Sequence, residues 1–493
     1  MFPELPDLGP LDRVRVDDPA WPGALASSAE GSVLAAPPPP GTPWRSEEAP
    51  VPDEFYAWEG AEALGIQPWT EAGERGAGVK IAVFDVEWFN TLLLDDELGS
   101  VTTHDCEATR SCDVPMDTLH PRYSFEEGSH GVGCAEVVRD FAPDAELHLV
   151  RVNGTTTFEN AVDWAIRNEM DVVSMSMSFF NNSFHDGSGP MNDAAARLAD
   201  AGILLVSSAG NYALEHWSGD WTDNDHDGWM EFPWGSSYLP VHYGPGSHSV
   251  QVSWDEFAAC GRNDFDVIAV NRAGELVGEA AGTQDPEADA CSPVEHLTLY
   301  AGEEDWYWLR IHRRRGAGAV QIGMFARAGR VYAPTPGGIA DPGSGVSTFV
   351  VGAVRADGYA TNEAEFFSST GPTRGGVAKP DIAGPDGLSS NIFGSTGFYG
   401  TSASTPAVAA TIAVILGEDD SLSPREAAEK LAANTLDGHD PWTPQDPALG
   451  AGRARLWHLG ADAEQACGGA GGATIAFPLL WWGRFRRRGV CPP

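Results

Sequence analysis

The stretch VKIAVFD, residues 79–85, has the pattern of a strand that is buried on both faces of a sheet. Apolar and β-branched side chains dominate from Val79 to Phe84, without the strict alternation of a half-exposed strand. Asp85 closes the run. The carboxyl end of a parallel strand is the edge of an α/β sheet where binding sites gather, so Asp85 is a candidate site residue.

Strand-like and helix-like runs alternate after this stretch. Strands are predicted at 146–152, 171–178 and 203–211, and amphipathic helices at 157–169 and 190–202. The alternation resumes with STFVVGAVR at 347–355 and ends near residue 458. It predicts an α/β fold, in which helices cover both faces of a parallel sheet.

Between residues 241 and 340 the pattern changes to short strands with turn signals and almost no helical period. This predicts a small antiparallel, β-sandwich-like insert. Cys260 and Cys291 lie in it and could staple it, and Cys106 and Cys112 are close enough to close a small loop. Cys134 has apolar neighbours, which predicts a buried thiol. The sequence has no CxxC pair, so a zinc cage is not expected.

The composition divides the chain into segments. Residues 1–54 read as a leader or linker that could serve as a pro-segment, because APPPPGTPW at 36–44 favours an extended polyproline conformation. The predicted division is leader 1–54, α/β domain 55–240 and 341–460, β-rich insert 241–340, and tail 461–493.

The net charge of −41 argues against nucleic acid as a partner, because phosphate binding needs clustered Lys and Arg. An acidic, well-solvated surface is typical of exported or salt-adapted proteins. No run of about 20 apolar residues predicts a spanning helix. The first residues lack the basic end and apolar run of a secretory signal, so either the protein stays inside or its true start lies upstream of Met1.

The stretch YGTSASTPAVAATIAVIL, residues 399–416, places three hydroxyl groups at the mouth of a predicted buried helix. Ser402 would lie where outward-pointing N–H groups and the helix dipole stabilise an oxyanion. Gly400 lets the chain approach a substrate closely, and Pro406 suits the first helical turn. Taken alone, Ser402 is more readily explained as a helix cap than as a nucleophile.

A nucleophilic serine needs a base, and the base needs a carboxylate to orient it. His130, in GSHGVGCAEVVRD, begins a helix-like segment, and Asp85 ends a strand; each alone could be structural. The order Asp85, His130, Ser402 is one of the few known for a catalytic triad. Asn211 ends VSSAGN and could donate its amide to a developing oxyanion, with the Ser402 N–H as the second donor.

Six blocks together resemble subtilisin-like serine peptidases: KIAVFD, SHGVGCAEVV, DVVSMSMS, VSSAGN, FFSSTGPTRGGVAKPDIAGP and YGTSASTPAVAA. The resemblance covers roughly residues 65–240 and 341–460. It implies a parallel, helix-covered sheet, the triad Asp85, His130 and Ser402, and Asn211 as the oxyanion donor. It also implies hydrolysis of protein or peptide substrates through an acyl-enzyme intermediate.

The sequence departs from the family pattern in places. Phe179 and Phe180 stand where a glycine is common, so the pocket for the substrate's first side chain is expected to be reshaped. A sedolisin-type peptidase would carry a Glu where His130 stands, which counts against that family. A different class, a non-catalytic surface binding or scaffold protein on the same fold, stays open at this point.

A second candidate site lies in DWTDNDHDGWMEF, residues 220–232. Alternating carboxylates before Gly228 suit Ca²⁺, which takes six to eight oxygen ligands. The candidate ligands are Asp223, Asp225, Asp227 and Glu231. The loop is not a full EF-hand, because its twelfth position is Trp234 rather than Glu.

The tail CGGAGGATIAFPLLWWGRFRRR, residues 467–488, resembles the C-terminal sorting signals of some exported bacterial proteins. Its apolar run is short and is broken by Pro478, so it is too short to span a bilayer comfortably. Paired loop cysteines fit an oxidising compartment. We therefore expect a secreted or cell-surface monomer, with membrane or surface attachment through the tail.

Overall fold

The computed structural model describes residues 58–88, 95–116, 129–284, 291–437 and 446–456. The predicted leader 1–54 and tail 461–493 lie outside these residues. The helices are α1 (Trp58–Leu64), α2 (Gln67–Ala72), α3 (Asp95–Leu98), α4 (His130–Phe141), α5 (Thr155–Arg167), α6 (Pro190–Asp200), α7 (Thr401–Glu418) and α8 (Pro424–Ala432). None of these described helices is long and apolar enough to cross a membrane.

The strands belong to one parallel sheet, an antiparallel insert and a short hairpin. They are β1 (Lys80–Asp85), β2 (Val101–Asp105), β3 (Glu146–Arg151), β4 (Val172–Met175), β5 (Leu204–Ser208), β6 (His216–Asp220), β7 (Leu239–Tyr243), β8 (Gly246–Trp254), β9 (Asp264–Val270), β10 (Leu276–Ala280), β11 (Val294–Ala301), β12 (Asp305–Arg315), β13 (Gln321–Ala326), β14 (Arg330–Val331), β15 (Phe349–Arg355), β16 (Ile382–Asp386), β17 (Leu388–Ser390) and β18 (Gly394–Phe398).

The parallel sheet has seven strands in the order β16-β15-β5-β4-β1-β3-β2. Its strand pairs are all parallel, and β1 lies between β3 and β4. Ile81 to Phe84 are at most 1% exposed, as the continuous apolar run of β1 predicts. The prediction of an α/β fold with a parallel sheet is confirmed.

Helices cover both faces of this sheet. Ala82 and Phe84 of β1 pack in one core with α5 and α6. Helices α4 and α7 contact each other, and both contact β1. The edge strand β2 was not predicted, because its residues VTTHD are mostly polar and half-exposed.

The insert follows β5 and consists of two antiparallel sheets, with the orders β11-β8-β13-β6 and β10-β9-β12-β7-β14. Side chains from both sheets share one apolar core, which includes Trp254 and Leu309. The paired strands begin at His216, which is earlier than residue 241. The bond Cys260–Cys291 lies within the insert, the bond Cys106–Cys112 closes the small loop after β2, and Cys134 is a buried free thiol.

Arg374 joins the insert to the parallel-sheet part. Its guanidinium donates to His216 Nε2 of β6 at 3.1 Å, to Ser253 Oγ of β8 at 3.2 Å and to the Phe184 carbonyl at 3.3 Å. Gly323 of β13 leaves room for it, since a Cβ there would lie 2.0 Å from the Arg374 Cζ. A side chain from outside the insert therefore occupies a space that the insert provides.

Candidate active site

Asp85 and His130 meet at the carboxyl end of β1. The fully buried Asp85 carboxylate accepts the Val86 and Glu87 N–H groups on Oδ1, at 2.8 and 3.1 Å, which fixes its orientation. Its Oδ2 lies 2.7 Å from His130 Nδ1. Gly131 permits this approach, because a Cβ there would lie 2.7 Å from the Asp85 Cβ.

The environment of His130 favours its charged form. Burial opposes the positive charge, but the charge and hydrogen bond of Asp85, helped by the charge of Glu87, outweigh it and raise the pKa of His130 above its ordinary value. The second ring nitrogen, Nε2, is enclosed and has no hydrogen-bond partner within the described part of the chain. The ring is thus oriented through Nδ1, and Nε2 remains available for proton transfer.

Ser402 is the second residue of α7 and is 3% exposed. The prediction that Pro406 lies in the first turn is wrong, because the helix already begins at Thr401 and Pro406 lies inside it. Proline has no N–H for the carbonyl four residues earlier, which is that of Ser402. Ser176 Oγ at 3.0 Å and Cys134 Sγ at 3.6 Å donate to this carbonyl instead.

Cys134 connects the elements that carry the three triad candidates. It lies on α4, one turn after His130, and its Sγ is also 4.0 Å from Asp85 Oδ2. Helices α4 and α7 are packed together, although no hydrogen bond joins His130 Nε2 to Ser402. Such bonds are often long in ligand-free enzymes and shorten only with substrate bound.

Asn211 follows β5 and contacts the residue before Ser402. Its Oδ1 accepts the Thr401 N–H at 3.1 Å and the Thr401 hydroxyl at 3.0 Å. Because the oxygen is used in this way, the NH₂ group is the end of the amide that remains to donate. The strand itself ends at Ser208, so Asn211 lies in the turn beyond β5 rather than at its last residue.

The sequence analysis missed two residues that fix the turn before α7 and the first turn of that helix. Asp386 Oδ2 accepts the Gly400 N–H, and Ser176 donates to the Ser402 carbonyl. Burial, and then the nearby charge of Glu365, raise the pKa of Asp386 to about 8. Ser176 is the middle of three alternating serines in SMSMS, and Asp386 stands between Pro385 and Gly387; neither setting by itself indicates a partner.

Phe179 and Phe180 are both buried, but in different places. Phe179 packs against Phe158 of α5, with ring centroids 5.3 Å apart. Phe180 packs against Tyr212, which follows Asn211, and against Phe325 of the insert. The insert therefore reaches the immediate neighbour of the candidate oxyanion donor.

Three of the four predicted metal ligands come together. Carboxylate oxygens of Asp223, Asp225 and Asp227 lie within 4.8 Å of one another. Asp223 Oδ1 is enclosed and without a hydrogen-bond partner among the described residues. Glu231 is not part of this group; its carboxylate accepts a hydrogen bond from the Asn224 side chain. The three aspartates suit a cation that prefers carboxylate oxygens.

The chain is similar to known proteins over most of its length. Residues 76–452 match the model of the subtilase family. Minor extracellular protease Epr of Bacillus subtilis (strain 168) is 24% identical over 186 residues, which are 34% of this chain and 25% of that protein. Subtilisin E of the same strain is 26% identical over 153 residues, 28% of this chain and 36% of that protein. The aligned region thus spans only a quarter of the first relative and little more than a third of the second.

Among solved structures, the Clostridium perfringens CspB protease superimposes with a TM-score of 0.57 at 16% identity, covering 81% of this chain and 97% of that one. At this identity the likeness concerns the fold, which agrees with the parallel sheet described above. Since the family model covers well over half of the residues, the chain belongs to the subtilase family.

Proposed function

We propose that the chain is a serine endopeptidase with Asp85, His130 and Ser402 as its catalytic triad and Asn211 as its oxyanion donor. The 2.7 Å bond between Asp85 and His130 carries the proposal, because it leaves Nε2 as the ring nitrogen without a partner. Membership of the subtilase family supports the same chemistry.

In the proposed mechanism, His130 Nε2 takes the Ser402 proton while the Ser402 Oγ attacks a peptide carbonyl carbon. The Asn211 NH₂ group and the Ser402 N–H, at the amino-terminal end of α7, stabilise the tetrahedral oxyanion. Asp85 stabilises the imidazolium, which then protonates the leaving amine. A water molecule that loses a proton to His130 releases the acyl group from Ser402.

A fluorophosphonate probe tests this proposal, since it forms a covalent bond with an activated serine. We expect wild type to be labelled and Ser402→Ala to remain unlabelled. Ser404→Ala is the matched control, because Ser404 is buried in the same helix and should not affect labelling. A folded wild type that resists the probe would favour the alternative of a non-catalytic binding or scaffold protein.

We further propose that Asp223, Asp225 and Asp227 hold a structural Ca²⁺ in the insert. The converging oxygens and the enclosed, unpartnered Asp223 Oδ1 support this. Hydrogen bonds from the loop backbone, such as the Trp229 N–H to Asp227 Oδ1 at 2.9 Å, already hold the carboxylates in place. When bound, the ion would offset the mutual repulsion of the three carboxylates and stabilise this loop.

We also propose a monomeric, secreted or cell-surface protein with the domain division given by the sequence, except that the strands of the insert begin at His216. Two disulfides favour an oxidising compartment, and the name of the relative Epr describes it as extracellular. Surface attachment through residues 461–493 rests on the sequence resemblance alone. Mass spectrometry of the mature protein's ends tests export and tail processing together.

A further inference from the structure

Glu136 is a fully buried carboxyl group on α4, the helix that begins with His130. Its Oε1 accepts the Asn391 N–H at 2.8 Å, and its Oε2 accepts the Ile392 N–H at 3.4 Å. These two amides form the turn between β17 and β18, hereafter the 388–398 hairpin. Glu136 therefore ties the tip of this hairpin to the helix of the candidate base.

The same hairpin packs against the His130 ring. A Cβ at Gly133 would lie 2.5 Å from a Phe393 ring atom, so Phe393 fills the space above Gly133 on α4. Phe393 stacks on Phe398 with centroids 4.5 Å apart, and Phe398 meets the His130 ring at 5.6 Å in a T-shaped arrangement. Strand β18 then leads directly to the turn before Ser402. The position of the hairpin therefore determines what the imidazole packs against.

A second carboxyl group lies beside Glu136. Glu97 of α3 is within hydrogen-bonding reach of Glu136, and its Oε2 is enclosed without a partner in the described ranges. Burial and then the charge of Glu97 raise the pKa of Glu136 well above its usual range, and burial raises the pKa of Glu97. A fully buried and a half-buried carboxyl within hydrogen-bonding reach favour holding one proton between them over carrying two negative charges. The longer of the two amide bonds is to Oε2, which fits a proton on that oxygen.

The other ionisable groups named around Glu136 and Glu97 do not supply a positive charge that would take the place of the shared proton. Asp140, one turn along α4, adds negative charge. Glu59 of α1 binds Ser389 of the hairpin, and Arg139 donates to carbonyl groups, including that of Pro143. Asp85, at the end of β1, is committed to His130. The 388–398 hairpin and the part of α7 near Ser402 carry no ionisable side chain.

We propose that Glu136 is a positioning residue which, while it shares a proton with Glu97, holds the 388–398 hairpin against the His130 ring. Loss of the shared proton leaves two negative charges side by side. Their repulsion loosens the contact between Glu136 and the tip of the 388–398 hairpin, hereafter the interlock. The inference rests on the proposed role of His130 as the base. It adds a group, Glu136, that positions the His130 ring through the 388–398 hairpin.

Two substitutions at Glu136 distinguish the role of its oxygen as a hydrogen-bond acceptor from the effect of its negative charge. Glu136→Gln keeps an oxygen for Asn391 and an NH₂ group for Glu97, so we expect it to be as active as wild type at neutral pH and to lose less activity than wild type at alkaline pH, where Asp386 still titrates in both proteins. Glu136→Leu has no acceptor, so we expect kcat to fall about tenfold with KM unchanged. Glu363→Gln, on the exposed surface, should follow wild type at every pH.

Amide hydrogen exchange reads the same interlock without requiring activity. We expect faster exchange at Asn391 and Ile392 in Glu136→Leu, and slower exchange in Glu136→Gln than in wild type at alkaline pH. If wild type resists the fluorophosphonate probe, the proposed function fails while this measurement still decides the interlock. Unchanged exchange in both variants, or an alkaline limb in Glu136→Gln that coincides with wild type, would overturn the proposal. Should Glu136→Leu fail to fold, Glu136→Gln alone decides it.

Discussion

The Asp386 carboxyl group accepts the Gly400 N–H at 2.9 Å and so fixes the chain two residues before Ser402. Its other oxygen, Oδ1, is enclosed and lacks a partner in the described structure. An ionised carboxylate there would be poorly compensated, which is why burial raises the pKa of this group to about 8. The turn that presents Ser402 is therefore held by a carboxyl group that prefers to be protonated.

Asp386→Asn should change the dependence of stability on pH. Because the folded-state pKa lies above the ordinary value, the stabilisation is complete below about pH 4 and is lost as pH rises through about 8. We expect Asp386→Asn to exceed wild type in unfolding free energy at alkaline pH, by on the order of a few kcal/mol. Thermal unfolding across this pH range measures the difference. The exposed Asp357→Asn is the control, and parallel curves for wild type and Asp386→Asn would contradict the expectation.

Asp85→Asn should lower the pKa of His130 and the turnover number together. A catalytic base must be neutral, so activity rises with pH as His130 loses its proton, with a midpoint above its ordinary pKa in wild type. Removing the Asp85 charge moves this limb to lower pH. The loss in kcat should be about 10⁴, since the amide favours the wrong tautomer. The profile of kcat/KM against pH measures both effects, and a limb that does not move would exclude Asp85 as the partner of the base.

Asn211→Asp distinguishes the role of the amide oxygen as an acceptor from the role of the NH₂ group as a donor. Aspartate keeps an oxygen for the Thr401 N–H and hydroxyl, but it has no NH₂ group to donate. We expect kcat to fall about 10²–10³-fold, a factor known from the amide donor of subtilisin, with KM little changed. Steady-state kinetics on a peptide substrate test this. Wild-type turnover in a folded Asn211→Asp protein would remove Asn211 from the oxyanion site.

Ser176 and Pro406 should be coupled through the Ser402 carbonyl. Ser176→Ala removes the 3.0 Å donor and should cost about 1 kcal/mol of unfolding free energy. In a Pro406→Ala background the helix supplies its own N–H, so the same substitution should cost much less. A double-mutant cycle by denaturant unfolding measures the difference. Additive effects would show that Ser176 does not substitute for the missing amide.

Calcium should stabilise the insert through its acidic loop. We expect added Ca²⁺ to raise the Tm of wild type and a chelator to lower it. The triple variant Asp223→Asn, Asp225→Asn, Asp227→Asn should abolish the response, whereas the exposed Asp420→Asn should retain it. A Tm that ignores Ca²⁺ in wild type would rule out this site.

The sequence predicts the parallel sheet well because each buried parallel strand is a short, continuous apolar run that can be recognised locally. Apart from Lys80, the run Val79–Phe84 is apolar, and the structure places β1 where the sequence predicts it. The start of the insert was harder to predict, since β6 reads HWSGD and has little strand character on its own. Pairing with β13 creates that strand, and a pairing between distant residues is invisible in a local pattern.

The residues of the candidate site also fall into those that a local sequence pattern predicts and those that it does not. Asp85, His130 and Ser402 stand out because each ends or begins an element inside a specific motif. Glu136 and Ser176 act by contacting backbone groups far away in the chain, such as the Asn391 amide, and Asp386 contacts the Gly400 amide beyond the hairpin that follows it. The local sequence around each of these residues gives no indication of such a partner, so their roles become evident only in three dimensions.

Arg374 has a consequence for anyone who wishes to shorten this protein. Excising the strands between His216 and Val331 would strip its guanidinium of both side-chain acceptors, His216 and Ser253. A trimmed version would need a neutral replacement at 374 before it could be soluble and well packed. The insert therefore cannot be removed without altering the rest of the protein. Grafting it onto another protein would require transferring this arginine as well.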